Sequence, residues 1–458
     1  MEADSLLQQV TSYCRRAGMA ETTFGRLAVN DGKFVSRLRS GGRATPETVH
    51  RIAAFMVQAP APAEPEIPAP APLTGEADAP PPQDSFRFYN NRQKYLMFVN
   101  TCSEKQQVAA RVAEELPHLS PKPPAIRLFD AGVGDGTVLA RVMRTMHHLH
   151  ERTPFYVVGK EISLEDVRLA LEKMADRFQE HPATVLVFTN MHYAEAPWLS
   201  PGSLPAASAL VWRELVLQGS SAAEFDRQIG ELEPFLADAW RAKISPKSGN
   251  PIYEKPAVLV IYREDCRFLL DQVIPYPGAV RADYDLVIAS HPYRARASTE
   301  FKAKKVIAPL ARSLAPGGRL IGIHGCGGDP GMEIIQQVWP GEDPFTTNRH
   351  DLLRAVKTEL GQRAARYNFS ASSDAKALFK HQMHTLPDEI GKHSEAIGAS
   401  TLFAAWNAAT YNAQIEDHRL SQAMVGDGYL RATRDVLRRH GGLWFWDESF
   451  VISRKRDL

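Results

Sequence analysis

Cysteine is scarce in this chain, and a strong net charge is missing. The four cysteines lie far apart and form no C-x-x-C pair, which argues against a zinc ribbon or a disulfide framework. Such usage fits a reducing cytoplasm, which is the location we predict. With a formal net charge of +1, the protein as a whole has no strong electrostatic attraction for nucleic acid or anionic lipid. Any polyanion must therefore bind to a local basic patch.

We also expect neither a signal peptide nor a membrane anchor. The first residues carry Glu2 and Asp4 where a signal peptide is basic, and no apolar core follows them. No stretch approaches the roughly 18 apolar residues that a membrane helix needs. We therefore expect a soluble protein without a membrane partner, and its oligomeric state is left open.

Proline, by contrast, is concentrated in one place. Nine of the 25 residues 59–83 are proline, separated mainly by alanine. This composition favours an extended spacer that cannot bury a core. We predict a helical domain over 1–58, a linker over 59–83 and a larger domain over 84–458. In that larger domain we expect an insertion over about 192–282, acting as a cap, and a helical elaboration over about 340–440.

Residues 1–58 have a helical pattern and a local basic patch. They contain eight Lys and Arg against five Asp and Glu, a charge of +3. Residues 5–57 resemble the small helix-turn-helix domains of phage repressors, in which the third helix enters the DNA groove. The resemblance implies DNA contacts from residues in and just after that helix, namely Lys33, Ser36, Arg37, Arg39 and Arg43. The alternatives for this domain are protein–protein contact and an inherited tether without a role in DNA binding.

The larger domain alternates strands and helices, which predicts an α/β fold with a parallel sheet covered on both faces. Apolar strands are expected at 126–132, 155–162, 183–190, 257–262, 283–293, 319–325 and 443–453, and 401–411 is a further strand candidate. Helices are expected at 135–150, 164–179, 222–242 and 301–314, with an amphipathic stretch over 86–116.

The first of these strands runs into a glycine-rich turn, Asp130-Ala131-Gly132-Val133-Gly134-Asp135-Gly136-Thr137, from which a helix leaves. Glycines allow the chain to reverse tightly and let a ligand approach the backbone. About 25 residues later the second strand ends at Glu161, where a carboxylate can accept hydrogen bonds from both hydroxyls of a ribose. The alternative for Glu161 is a solvated carboxylate at a helix N-terminus, with Ser163 as a possible cap.

With this spacing, residues 86–330 resemble the class I, Rossmann-like S-adenosylmethionine-dependent methyltransferases. The strand Asp285–Ile288, the turn Ala315–Gly318 and an antiparallel last strand, Trp444–Ser453, match the same family. The resemblance implies S-adenosylmethionine as cofactor and a doubly wound sheet. It also implies a set of cofactor-binding residues: Asp130, Gly132, Gly134, Asp135, Gly136, Thr137, Glu161, Asn190 beside the adenine, and Ser290.

The strand expected over 283–293 ends in Ser290-His291-Pro292-Tyr293, which is similar to the [DNS]-P-P-[YFW] signature of amino-directed methyltransferases, with a histidine replacing the first proline. We predict that His291 acts as a general base or orienting group and that Tyr293 packs against the acceptor. The alternative is that Pro292 merely ends the strand. A lid is expected from the helix beginning near Arg87, with Tyr89, Lys94 and Tyr95 as candidate contacts.

Two groups of histidines, one at 147, 148 and 150 and one at 381, 384 and 393, lack a nearby cysteine or acidic cluster in sequence, so no metal is predicted. The resulting hypothesis is a methyltransferase that acts on a heteroatom of a small molecule. The alternatives are a nucleic-acid methyltransferase directed by the N-terminal domain, and a transcriptional regulator that only senses a ligand.

Overall fold

The computed structural model describes most of the chain, namely residues 6–7, 10–11, 13–14, 21–40, 42, 44–58, 92–245, 251–385, 389–390 and 397–456. These residues belong to two compact units, Met1–Ala79 and Pro80–Leu458. The predicted linker 59–83 lies outside the described residues. No helix in the described ranges is long and apolar enough to cross a lipid bilayer.

The first unit contains the helices Glu21–Val29, Phe34–Arg39 and Pro46–Gln58, in agreement with the helical pattern of its sequence. The Thr45 hydroxyl accepts a hydrogen bond from the backbone N–H of Thr48, as expected of a capping residue. Each helix presents an apolar side to one small core. Its buried members include Leu6, Val10, Cys14, Phe24, Ala28, Phe34, Val35, Leu38 and Ile52.

The second unit is built on a ten-stranded sheet with the order β10-β12-β9-β8-β1-β2-β3-β7-β4, in which β11 also pairs with β12. Its strands are β1 (Ile126–Asp130), β2 (Phe155–Lys160), β3 (Thr184–Thr189), β4 (Val211–Leu217), β7 (Ala257–Arg263), β8 (Tyr284–Ser290), β9 (Leu314–Gly325), β10 (Tyr367–Ser370), β11 (Leu378–Gln382) and β12 (Trp444–Arg454). Strands β5 (Ala242–Ile244) and β6 (Pro251–Tyr253) form a separate hairpin.

Strands β3, β2, β1, β8 and β9 run parallel, and β12 is antiparallel to β9. This is the predicted doubly wound α/β fold with an antiparallel last strand, and it places the carboxyl ends of β1, β2 and β8 at one edge. The segment 192–282, expected to form a cap, instead contributes β7 and β4 to the sheet beyond β3, with β7 antiparallel to β3.

Helices cover both faces of the sheet and form two extensive apolar cores against it. The main helices are Arg92–Thr101, Glu104–Ala113, Thr137–Leu149, Leu164–Glu172, Ala175–Glu180, Ala222–Gly230, Glu233–Ala239, Ala308–Arg312, Pro330–Val338, Arg349–Leu360, Ala399–Asn412, Asp417–Ala423 and Gly428–His440. Shorter turns of helix lie at Leu204–Ser208, Arg267–Leu270, Thr299–Phe301 and Asp374–Ala377, and a π-helical stretch lies at Lys302–Ile307.

The strand expected over 401–411 is wrong, because these residues form the helix Ala399–Asn412. The helix is buried on most sides, between the helix Arg92–Thr101 and the C-terminal helices, so it shows no polar face. The rings of Phe98 and Tyr411 approach to 4.8 Å between centroids in this contact. A helix that is apolar all round has the same pattern as a buried strand.

Candidate functional site

The glycine-rich turn lies where β1 ends and the helix Thr137–Leu149 begins. Gly134 and Gly136 adopt left-handed backbone conformations, with φ of +54° and +79°. A Cβ on Gly136 would lie 2.7 Å from Cα of Ala170, and one on Gly134 would lie 3.0 Å from the hydroxyl of Tyr95. Both backbone shape and close packing therefore require glycine at these two positions.

Two carboxylates lie beside this turn. Asp130 is buried and accepts a hydrogen bond from the N–H of Gly132 at 3.1 Å. Burial raises the pKa of Asp130 to about 7, and the nearby Glu161 adds to the shift. Glu161 follows β2 directly, and its Oε2 accepts from the N–H of Gly134 at 2.9 Å. Residues that are 27 positions apart are thus brought together at the tips of β1 and β2.

The other oxygen of Glu161 accepts hydrogen bonds from the N–H groups of Ile162 and Ser163, at 2.8 and 2.9 Å. Ser163 caps the helix Leu164–Glu172 through the N–H of Asp166. The indole of Trp240 donates to the carbonyl of Glu161 at 2.8 Å. Trp240 was not singled out from the sequence, and it shows that the inserted segment supports the tip of β2.

Asp135 and Thr137 stabilise the turn from within. The Thr137 hydroxyl donates to the Asp135 carboxylate, and Lys173 Nζ donates to the Asp135 carbonyl at 2.6 Å. Burial alone would raise the pKa of the Asp135 carboxyl, but Lys105, Thr137 and Lys173 hold it below its usual range. The glycine turn is therefore fixed by hydrogen bonds that require no ligand.

The helix Arg92–Thr101 reaches the glycine turn through one side chain. The Tyr95 hydroxyl accepts a hydrogen bond from the N–H of Asp135 at 3.1 Å. Lys94, also a candidate for ligand contact, instead forms an ion pair with Asp417. The third candidate, Tyr89, lies outside the described residues. The predicted lid thus touches the site at Tyr95.

Asn190 follows β3 and is 1% exposed. Its amide nitrogen donates to the carbonyls of Ala239 and Lys255 at 3.1 and 3.0 Å, and its oxygen accepts from the N–H of Ala257 at 2.8 Å. The side chain joins β3 to the inserted segment. A contact with adenine stays a prediction for Asn190, and this geometry argues against it.

The tip of β8 lies next to the glycine turn, because the N–H of Ala131 donates to the carbonyl of Ile288 at 2.9 Å. A Cβ on Gly132 would lie 4.0 Å from the carbonyl oxygen of Ser290. His291 then turns out of the strand with φ of +47°, an uncommon conformation for a residue other than glycine. The predicted cofactor and catalytic segments therefore meet at one edge of the sheet.

The imidazole of His291 is surrounded by polar partners. Its Nδ1 lies 3.1 Å from Ser290 Oγ and 3.5 Å from Glu104 Oε1, and its Nε2 lies 3.3 Å from Asp447 Oδ1. Burial alone would lower the pKa of His291, but Asp447 and Glu104 raise it above its usual value. Glu104, at the start of the helix Glu104–Ala113, and Asp447, in β12, were both missed from the sequence.

Tyr293 belongs to a second buried chain of hydrogen bonds. Its hydroxyl lies 2.8 Å from His324 Nδ1, and His324 Nε2 lies 2.8 Å from Glu448 Oε1. Since the Glu448 carboxylate can only accept, Nε2 carries the histidine proton and Nδ1 accepts from the Tyr293 hydroxyl. These hydrogen bonds fix the position of the Tyr293 ring, as is required of a ring that packs against an acceptor.

A pocket opens beyond the tip of β8. It is lined by His291, Tyr293, Ala295, Lys302, His324, Gly325, Phe345, Thr347, Asn412 and Gln414. Lys302 donates to the carbonyl of Ala295 at 2.7 Å, and its Nζ lies 5.2 Å from the centre of the Tyr293 ring. Burial lowers the pKa of Lys302 to about 8. The pocket thus combines apolar walls with several hydrogen-bonding groups.

The residues predicted to contact DNA lie in the first unit. Lys33, Ser36, Arg37 and Arg39 are exposed around the helix Phe34–Arg39. Arg37 forms an ion pair with Asp31, and Arg39 forms one with Glu21 at 2.7 Å. Arg43 lies outside the described residues.

Comparisons with known proteins give only distant likenesses. No protein-family model matches the chain, and no curated protein matches it. Among solved structures, geranyl diphosphate methyltransferase in complex with GPP and sinefungin is 12% identical, over 76% of this chain and 78% of that one, with a TM-score of 0.29.

Two further structures are similar at the same level. YjhP from E. coli is 12% identical over 76% of this chain and 93% of that chain, with a TM-score of 0.27. The rRNA methyltransferase AviRa from Streptomyces viridochromogenes is 15% identical over 48% of this chain and 73% of that chain, with a TM-score of 0.18. At such scores the function of this protein has to be inferred from its own residues.

Proposed function

We propose that the unit Pro80–Leu458 transfers the methyl group of S-adenosylmethionine to a heteroatom of a small-molecule acceptor. The observation that carries this proposal is the meeting of three strand tips at one edge of the sheet. They bring together the glycine turn after β1, the carboxylate of Glu161 after β2, and the Ser290–Tyr293 segment after β8. The family resemblance of the same residues supports it.

The turn fits the cofactor because its glycines carry no side chains, so the cofactor can approach the backbone of the turn closely. Glu161 accepts three backbone hydrogen bonds, two on Oε1 and one on Oε2, so Oε2 retains a lone pair for a ribose hydroxyl. Asp130 lies at the opposite end of the turn, where its carboxylate stabilises a cationic group of the cofactor. Tyr95 closes over Asp135 and limits the access of water.

When bound, S-adenosylmethionine supplies a methyl group that its sulfonium already activates. The protein then has chiefly to align the acceptor and exclude water. We assign the acceptor to the pocket beyond the tip of β8, because Ser290 lies beside the glycine turn and His291 lines that pocket. In this proposal His291 orients the acceptor heteroatom by a hydrogen bond, and Tyr293 packs against the acceptor.

The test is calorimetric titration of the whole chain with S-adenosylhomocysteine. Replacing Glu161 by alanine removes a ribose hydrogen bond to a charged acceptor, so affinity should fall by about 10- to 100-fold. The matched control is Glu172→Ala, an exposed glutamate at the end of the helix that begins after Glu161. It should bind like the wild type. Absence of binding to well-folded wild-type protein would refute the proposal.

Transfer of a radioactive methyl group then identifies the acceptor class. Labelling of compounds in a small-molecule panel, reduced in His291→Ala, would support the proposal. Labelling of DNA or RNA alone would favour the nucleic-acid alternative. Binding of the cofactor product without any transfer would favour a ligand-sensing regulator.

We also propose that the first unit binds DNA. One side of the helix Phe34–Arg39 is buried in the core through Phe34, Val35 and Leu38, while Ser36, Arg37 and Arg39 remain exposed on the other. An exposed basic face on a short helix of a small helical unit suits the major groove and its flanking phosphates.

Fluorescence anisotropy of the whole chain with duplex DNA tests this second proposal. Arg37→Glu should weaken binding and lower the slope of log affinity against log salt by about 1 for each lost phosphate contact. Arg51→Glu, an exposed arginine of the helix Pro46–Gln58, is the control for charge alone. Equal effects of the two variants, or no binding by the wild type at low salt, would contradict the proposal.

A further inference from the structure

Four titratable side chains from distant parts of the chain converge between the glycine turn and the acceptor pocket. One ligand atom each of Glu104, His291 and Asp447 lies within 4.8 Å of the other two. His381, in β11, lies behind Asp447, with Nε2 at 3.7 Å from Asp447 Oδ2. Glu104 and Asp447 are 7% and 0% exposed, so both carboxylates are removed from water.

Several polar atoms of this cluster have no hydrogen-bond partner in the part of the chain that the structure describes. They are Asp447 Oδ2 and both ring nitrogens of His381, whereas Glu104 Oε2 lies 3.3 Å from the Lys105 ammonium. His381 is 1% exposed and lies between the rings of Phe98 and Phe445. Leaving such groups unpaired in the interior is costly, so their number in one place indicates a missing ligand.

The charges of the cluster leave room for a cation. Two buried carboxylates face one ammonium group, since Lys105 Nζ lies 3.3 Å from Glu104 Oε2. An imidazole binds a metal ion only in its neutral form, so a bound cation would take the place of any proton on His291. An imidazole nitrogen with two carboxylate oxygens is a donor set that zinc, cobalt and manganese accept, whereas magnesium prefers oxygen alone.

Binding of an ion by all three side chains requires a rearrangement of His291. Donors at about 2.1 Å from a tetrahedral ion lie about 3.4 Å apart. The separations of His291 from Glu104 and Asp447 are 3.5 and 3.3 Å, measured from its two different ring nitrogens. A turn of the imidazole therefore has to bring one nitrogen toward a point that both carboxylates share.

We propose that Glu104, His291 and Asp447 bind one divalent cation of the zinc, cobalt or manganese class, with an open coordination position facing the acceptor pocket that His291 lines. His381 is a positioning residue: its Nε2 lies 3.7 Å from the second oxygen of Asp447, and in the metal-bound site it would donate a hydrogen bond to that oxygen and orient the ligand. The site goes beyond the proposed methyl transfer, since the binding of an ion here requires no cofactor. In the presence of cofactor, the open position would hold the acceptor heteroatom close to Ser290.

The experiment measures the metal directly. The whole chain, without an affinity tag and stripped by a chelator, is titrated with Co²⁺, and visible absorption of the protein-bound ion is followed. We expect saturation at one ion per chain, and displacement of the signal by Zn²⁺. Zn²⁺ should also raise the midpoint of urea unfolding of the wild type, because a ligand that binds only the folded state stabilises it. Absence of a saturable signal, or of this stabilisation, would overturn the proposal.

Variants locate the ion. Glu104→Gln and Asp447→Asn should each abolish the Co²⁺ signal, and His381→Gln should weaken Co²⁺ binding by about 10-fold through Asp447. Glu104→Gln preserves the shape of the side chain, and the Lys105 side chain that loses its charged partner is 23% exposed to water, so the metal-free variant is expected to fold. His440→Gln is the control, because His440 and Glu333 form a surface pair at 3.0 Å that could bind metal adventitiously. A signal unchanged in Glu104→Gln and Asp447→Asn, or lost in His440→Gln, would refute the site.

Discussion

Replacement of Glu448 by glutamine tests how the tip of β8 is held in place. Glu448 is 2% exposed, and its carboxylate binds both His324 and Arg349. His324 in turn accepts a hydrogen bond from the Tyr293 hydroxyl. The Glu448 carboxylate therefore connects the acceptor pocket to the C-terminal half of the sheet. Glutamine preserves the shape of the side chain but replaces one accepting oxygen by a donating NH₂ group.

The expected change in the free energy of unfolding follows from the interactions that Arg349 loses. Its Nη1 donates to Glu448 Oε2 at 2.8 Å and its backbone N–H donates to Oε1 at 2.6 Å. Breaking a buried ion pair by removing one partner costs about 3–5 kcal/mol. Arg349 retains the carbonyl of Ala371 and the exposed Asp374 as partners. We therefore expect the lower end, a loss of about 3 kcal/mol in the free energy of unfolding.

Tryptophan fluorescence during urea unfolding is the assay, because all seven tryptophans lie between Trp198 and Trp446 and therefore report on the second unit within the intact chain. The double variant Glu448→Gln/Arg349→Met should recover part of the loss, since no buried charge is left without its partner. The control Glu333→Gln breaks only a partly exposed pair and should cost less than about 1 kcal/mol. A similarly small loss in Glu448→Gln would refute the reasoning.

Three further predictions concern the glycine turn. Gly136→Ala, whose Cβ would lie 2.7 Å from Ala170 Cα at φ of +79°, should lower the free energy of unfolding by at least about 1–2 kcal/mol, measured by urea unfolding. Tyr95→Phe removes the acceptor of the Asp135 N–H and should weaken binding of S-adenosylhomocysteine about 3- to 10-fold in calorimetry. The pKa of Asp130, about 7, exceeds its unfolded value, so its contribution to stability falls as pH rises from about 4 to about 7. Cationic S-adenosylmethionine favours the carboxylate and should release a proton on binding near pH 6, seen as a dependence of the heat on the buffer and absent in Asp130→Asn.

The sheet and the glycine turn could be predicted because their signals are local. The turn needs glycine for its backbone shape, and the strands β1, β2 and β3 are mainly apolar and almost entirely buried, which is typical of a parallel sheet covered on both faces. Glu161 could be placed because it ends a predicted strand, and parallel strands of one sheet bring their carboxyl ends to the same edge. These inferences required no knowledge of contacts between distant segments.

For Asn190, the position in the sequence did not predict the direction of the side chain. Its position after β3 correctly placed it at the same edge, but its side chain turns to the inserted segment. The strands β7 and β4 extend the sheet beyond β3, so the edge that Asn190 would have lined is occupied by Lys255 and Ala257. Sequence position predicts the end of a strand, whereas the direction of a side chain depends on what packs beside it.

The groups around His291 could not be assembled from the sequence, because Glu104, His381 and Asp447 come from three separate elements. A signal was nevertheless present in β12, where Asp447, Glu448 and Ser449 interrupt an apolar strand and are all buried. Burying two consecutive carboxylates is unfavourable unless each has a partner of its own. Glu448 has Arg349 and His324, whereas Asp447 has only histidines and an unsatisfied oxygen within the described residues. The asymmetry between two neighbouring carboxylates is therefore the physical reason to look for a cation at one of them and a structural role for the other.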